Sequence, residues 1–312
     1  MDQLTVSATA NGLNYLPEYL ADHIGLFAQR DLQVTTVACD PWTGVLDDLD
    51  SGAADIALGG LWVPAMYANG PRHFSVFCQL NNQFPMAIVQ RTPEAEEFTL
   101  SSLEGKVVLA PGAGGSAPYE FTAGLLREAG VDVAAIRFVR DLSTAMLVEL
   151  FGAGTGDAII ADLVTAKTLE ATGAGTIVFR HLDSGGTMPN SVYYCRTDRL
   201  EELSDRAGRF SAAIAEAMEV LPEVEASVID EILVSRWPDG DLTVLRSAVE
   251  EMRASEVWAT TVADPAACER WSRILAEGGL VPTPPSHATL IDDRFTASLS
   301  SATVFSATVA AG

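Results

Sequence analysis

Paired cysteines, a basic surface and long apolar runs are all missing from this chain. Its four cysteines, Cys39, Cys78, Cys195 and Cys268, stand far apart with no CxxC pair, so neither a zinc knuckle nor a thioredoxin-like motif is present. The four histidines, His23, His73, His181 and His287, show no HExxH or i, i+4 pairing. A protein-bound metal therefore has no sequence support, and no cofactor is expected. Nineteen Lys and Arg against 42 Asp and Glu leave a formal charge of −23. That field repels phosphate backbones and anionic lipid, which removes nucleic acid from the expected partners. No segment is long and apolar enough for a direct membrane span. A Walker Lys-Ser/Thr, a Gly-x-Ser-x-Gly elbow and an EF-hand spacing are also absent, and Asp47, Asp48 and Asp50 read as the solvated face of a helix.

What is present is a repeated βα pattern. With 48% hydrophobic residues in 312, the chain can bury one large or two ordinary cores. The first seventy residues read strand, Asn-rich loop, helix, strand, helix, strand. Helical spacing runs from Pro17 to Arg30, with Leu16, Leu20, Ile24 and Phe27 on one face. A strand at Leu32 to Val37, a helix at Trp42 to Ser51, a strand at Asp55 to Leu58 and a helix carrying Trp62 and Met66 follow. After strands at Phe74 to Leu80 and Met86 to Gln90, the polar linker Thr92 to Glu97 leads to a second start at Val107-Val108-Leu109. The same order then recurs: glycine-rich loop, helix to Gly130, strand at Ile136 to Val139, helix at Ser143 to Phe151, strand at Ala158 to Ala161.

A strand at Ser191 to Cys195 is followed by helices at Arg206 to Leu221, Pro222 to Val234, Leu242 to Ala254 and Ala266 to Glu277. The expected architecture is α/β and two-lobed, each lobe a mostly parallel sheet flanked by helices, with the ligand cleft between lobes. Residues 1–88 and 195–312 are expected to form lobe one and 89–194 lobe two, with hinge strands near 86–91 and 189–196. The Ala/Ser/Thr-rich tail from Phe295 reads as an edge strand or a loose terminus, not an anchor.

Several of these segments, in this order, resemble the NMT1/THI5-like (SsuA/TauA-like) solute-binding proteins, which have the type II periplasmic-binding-protein fold. The matching runs are Leu16-Pro17-Glu18-Tyr19-Leu20-Ala21, Ile24-Gly25-Leu26-Phe27, Leu49-Asp50-Ser51-Gly52-Ala53-Ala54-Asp55-Ile56-Ala57 and Leu103-Glu104-Gly105-Lys106-Val107-Val108. The resemblance implies a ligand-capturing subunit of an ABC importer, with a small molecule and an ABC permease as partners. Exported members carry a leader, whereas Met1-Asp2-Gln3-Leu4 enters the first strand directly. A removed leader implies a periplasmic or extracellular protein; a native Met1 implies a cytoplasmic one. The cysteine-rich run of the pyrimidine-synthase relatives is absent. Asn11-Gly12-Leu13-Asn14 stands where desulfinase relatives place a nucleophilic cysteine.

Candidate binding residues follow the strand ends. Asn11, Asn14 and Tyr15 occupy the first loop, where amides both donate and accept, although Asn11-Gly12 also reads as a plain turn. Trp42 and Trp62 each precede a helix and read as aromatic walls or as core. The run Gly112 to Ser116, with Gly114, Gly115 and Ser116 foremost, resembles an anion cradle or a flexible βα turn, and Tyr119 could close over it. Asp162 either meets a ligand amine or caps the following helix, and Asn190 lies at the second hinge. Together these residues predict an interlobe cleft for a small organic, aromatic and/or anionic ligand. The alternative is a cytoplasmic biosynthetic enzyme of lyase or hydrolase type on the same fold. Its acid or base would be Glu18, His23 or Asp162, with no recognisable catalytic motif.

Overall fold

Short strands with apolar residues on both faces need helices on both faces. The computed structural model, which describes residues 1–92, 97–111 and 117–296, contains two such sheets. The chain opens with β1 (Asp2–Ala8), α1 (Leu16–His23), β2 (Leu32–Ala38), α2 (Gly44–Ser51), β3 (Ile56–Gly60), α3 (Trp62–Tyr67) and β4 (Phe74–Gln79). It crosses to the second sheet through β5 (Met86–Gln90). There follow β6 (Val107–Leu109), α4 (Ala117–Glu128), β7 (Arg137–Val139), α5 (Thr144–Gly152), β8 (Ala158–Asp162), α6 (Leu163–Ala171), β9 (Thr176–Arg180) and α7 (His181–Ser184). It returns through β10 (Ser191–Arg196) and ends in α8 (Leu200–Val220), α9 (Ala226–Arg236), α10 (Leu242–Ala254), α11 (Pro265–Glu277) and α12 (His287–Leu290).

The strand orders are β2-β1-β3-β10-β4 and β7-β6-β8-β5-β9. In each sheet one strand runs antiparallel to both its neighbours: β10 between β3 and β4, and β5 between β8 and β9. Each reversed strand is the first one laid down after the chain crosses between sheets. Apart from the crossings the sheets are parallel, with Val6 opposite Thr36 and Ile56, and Leu109 opposite Val139 and Ile159. This is the α/β architecture the repeated pattern predicts.

Burial explains the registers. Leu4, Val6 and Ala8 are buried on one face of β1 with Leu16 and Leu20 of α1 and Phe210 of α8. On β10, Tyr193 and Cys195 join that same core, while Val192 and Tyr194 face the other. The helical spacing expected through Arg30 stops at His23. Gly25 takes φ 75°, and Leu26 N–H bonds back to Ala21 O at 2.8 Å, which ends the helix by a left-handed cap. α8 starts six residues earlier than the expected Arg206, because Leu200 and Leu203 extend the buried stripe of Ala207, Phe210 and Ile214. The C-terminal helices reach both sheets: α8 lies on α1, α10 on α6 and α11 on α4. Glu251 of α10 is held by Lys167 of α6 at 2.6 Å and Arg180 of β9 at 3.1 Å. Arg270 of α11 grips Glu128 of α4 at 2.6 Å. The polar linker's residues 93–96, and the tail beyond Thr296, lie outside the described residues.

Candidate functional site

Parallel strands point their carboxyl ends at one edge of a sheet, and the loops there converge on ligands. Here the two edges face each other across a cleft of about 720 Å³. One wall is Thr9, Ala10 and Asn11 after β1, with Ala38 at the end of β2 and Cys39, Asp40, Pro41 and Trp42 after it. The other is Met86 at the start of β5, Pro111 after β6, Pro118 in α4, Leu142 to Ala145 at the start of α5, and Asp162 at the end of β8. The second wall is held by caps: Ser143 Oγ accepts from Met146 N at 3.3 Å. Asp162 accepts from Thr165 N at 3.0 Å and from Thr165 Oγ1 at 2.6 Å.

Of the residues singled out in the sequence, Asn11, Trp42 and Asp162 line this cleft. Tyr19 OH donates to Asn11 Oδ1 at 2.9 Å, leaving the amide NH2 as that side chain's further hydrogen-bonding group. Trp42 is half-buried and sits edge-on to Trp62, with ring centroids 4.7 Å apart. Trp62, only 7% exposed, supports Trp42 from behind. That placement depends on Gly60, where a Cβ would fall 2.3 Å from Trp62 Cδ1. Tyr15 is buried beside the wall; its hydroxyl lies 3.2 Å from Thr9 Oγ1, and burial raises its pKa. Tyr119 lies edge-on to Phe138 at 5.0 Å, under the Arg140 guanidinium at 4.0 Å. Gly114, Gly115 and Ser116 lie outside the described residues.

Asn14 and Asn190 are placed at the crossings between sheets. Asn14 Nδ2 donates to Asn81 Oδ1 at 2.9 Å and to Ser191 Oγ at 3.1 Å, while Asn81 Nδ2 returns a bond to Asn14 O at 2.8 Å. Asn190 N donates to Asn81 O at 3.0 Å. Asn81, which has no exposed surface, thus ties the first loop to both crossings. Nothing in the local sequence marks Asn81, because Asn14 and Asn190, the residues it ties together, are 67 and more residues away.

The groups named for acid or base work do not converge. Glu18 accepts from Thr36 Oγ1 and Tyr193 OH, each at 2.6 Å, inside the first core, and burial raises its pKa. His23 meets Glu231 at 3.3 Å, and Asp162 is engaged as a cap. Cys39 does line the cleft, a residue sequence reasoning missed for want of a motif. Its Sγ lies 3.2 Å from Ser7 Oγ and 3.3 Å from Asp48 Oδ2, and burial pushes the thiol's pKa up, which disfavours a thiolate nucleophile. Among the described residues no three His, Cys, Asp or Glu gather as a metal site, and no helix is long and apolar enough to cross a membrane.

Two mostly parallel sheets, each with one reversed strand beyond a crossing and a cleft between their carboxyl edges, define the two-lobed periplasmic-binding-protein fold, the architecture of solute-binding proteins. Residues 13–223 match the family model described as NMT1/THI5 like, and the chain belongs to that family. YtlA of Bacillus subtilis, named as a binding protein, is 24% identical over 261 residues, covering 81% of this chain and 76% of its own. The ligand-binding component of an ABC-type import system from Staphylococcus aureus superimposes with a TM-score of 0.75 at 13% identity, covering 95% of this chain and 98% of its own. The periplasmic aliphatic sulphonate binding protein SsuA from Escherichia coli does so at 0.74 and 17% identity, covering 94% and 92%.

Proposed function

We propose that this chain is the capture component of an ABC-type importer, closing its two lobes on a small organic ligand and presenting it to a membrane permease. The observation that carries the reading is the cleft of about 720 Å³ between the facing carboxyl edges of the two sheets, a volume suited to a small molecule. Family membership supports it, as do the import-system relatives. The lobes are taken as 1–88 with 195–312, and 89–194, adjusted so that all of β5 goes with the second sheet and all of β10 with the first. They move about the crossings near 86–91 and 189–196, since a two-strand connection permits hinge closure.

The expectation of an aromatic and/or anionic ligand divides here. Trp42 supports the aromatic half, because a rigid ring buries apolar ligand surface at low entropic cost. The anion cradle rested on Gly112 to Ser116, outside the described residues. Asn11 supplies an amide donor for a ligand oxygen.

A thermal-shift screen of small aromatic and alkyl compounds, followed by calorimetry on the hits, tests the reading. Trp42→Ala is expected to weaken the best hit at least tenfold while leaving the unliganded melting curve close to that of the parent. Unchanged affinity would remove Trp42, and with it this wall of the cleft, from binding.

A further inference from the structure

We propose that the ligand of this cleft carries a positive charge, as a protonated amine or quaternary ammonium attached to an apolar, ring-bearing body. The proposal rests on the binding reading above and adds the charge of the molecule held. Among the described residues that line the cleft, the ionisable side chains of full charge are two carboxylates, Asp40 and Asp162, and there is no Lys, Arg or His. They stand on opposite walls, Asp40 after β2 of the first sheet and Asp162 at the end of β8 of the second. Neither forms an ion pair with a described residue. Arg140, two residues from the lining Leu142, is stacked over Tyr119 at 4.0 Å.

The hydrogen bonds from Thr165 orient the Asp162 carboxylate without neutralising it. The amino ends of α5 and α6 also open on the cleft, but each is already capped by a side-chain oxygen, of Ser143 and Asp162 respectively. An anion would therefore face two carboxylates that have no ion-pair partner among the described residues, in a protein of formal charge −23. Repulsion between those carboxylates grows as the walls approach, in inverse proportion to their separation. A cation between them turns that repulsion into two attractions, so closure follows binding. Trp42 offers an aromatic face, which attracts ammonium groups through its quadrupole.

Calorimetry with three probes of one skeleton, benzyltrimethylammonium, benzyl alcohol and phenylmethanesulfonate, tests the inference. The ammonium is expected to bind at least tenfold tighter than the sulfonate, with the preference shrinking as salt is added. Asp40→Asn and Asp162→Asn should each weaken the ammonium about five- to tenfold and leave the alcohol unchanged. Both variants are expected to fold, since Asp40 is exposed and Asn caps a helix as well as Asp does. A sulfonate that binds tighter than the ammonium, or a charge preference untouched by both substitutions, overturns the inference. If Trp42→Ala still weakens the probes in that case, the cleft reading stands without the charge; if Trp42→Ala weakens none of them, both fail.

Discussion

Asn81 offers a test of how the crossings are held together. Its side chain donates to Asn14 O at 2.8 Å and Leu80 O at 3.2 Å and accepts from Asn14 Nδ2 at 2.9 Å, with no solvent to replace any of them. Asn81→Ala removes all three bonds. The deserted groups are not wholly orphaned: Asn14 Nδ2 keeps Ser191 Oγ at 3.1 Å, and Asn14 O keeps Trp258 Nε1 at 2.8 Å. At about 1 kcal/mol per net bond, the loss is about 2–3 kcal/mol. Asn81→Asp keeps the size but turns a carboxylate oxygen toward two carbonyl oxygens. An ionised, unpaired buried carboxylate costs more than the missing amide, on the order of 4 kcal/mol at neutral pH. The native state would raise that carboxyl's pKa and hold its proton, so the aspartate variant should recover relative to the parent as pH falls. Urea denaturation followed by tryptophan fluorescence at two pH values gives the order parent, alanine, aspartate at pH 7. An aspartate variant as stable as the parent at pH 7, or an alanine variant within 0.5 kcal/mol of it (about the size of a surface substitution), would refute the assignment of Asn81 as the central tie.

The join between α4 and α11 rests on Gly124, where a Cβ would fall 2.5 Å from the buried Ile274 Cγ2. Gly124→Ala should destabilise by about 1–3 kcal/mol despite alanine's better helix propensity. Combined with Ile274→Ala it should cost less than the sum of the two single losses, and additive losses from a double-mutant cycle would contradict the contact. His181, buried among Phe84, Phe121 and Phe179 with its Nε2 2.9 Å from Thr122 Oγ1, has its pKa pushed down by burial to about 4. The unfolded chain therefore binds a proton that the native state refuses. Its contribution is complete above about pH 6.5 and shrinks as pH falls toward 4, by up to about 3 kcal/mol. His181→Gln should flatten that part of the stability profile; an unchanged slope would count against the burial argument.

Much of the architecture could be read locally. Short continuous apolar and β-branched runs mark strands buried on both faces, and the second start at Val107 repeats the first because each βα unit needs the same local signals. Helix ends are equally local: Asp162 reaches Thr165, three residues on, and Gly25 ends α1 by its own backbone freedom. Where local spacing and tertiary burial disagreed, burial decided, as when Leu200 and Leu203 carried α8 beyond its expected start.

The candidate site divides along the same line. A strand end followed by a helix start is enough to bring Asn11, Trp42 and Asp162 to the edge of a parallel sheet, because that edge follows from chain direction alone. Whether a residue at the edge faces the cleft, supports a neighbour or ties a crossing depends on what the other sheet and the returning strand bring to it. Trp62 behind Trp42, Asn14 and Asn190 on Asn81, and Pro118, Leu142 and Thr144 across from Cys39 are such outcomes. So is the docking of α10 and α11 on helices of the second sheet. From sequence alone came the two βα repeats, their strand ends and the excess of negative charge, since these depend on residues near one another or on composition. The folded chain alone decided which polar groups meet and which carboxylates face each other across the cleft, since those contacts join segments far apart in sequence that only packing brings within a few ångströms.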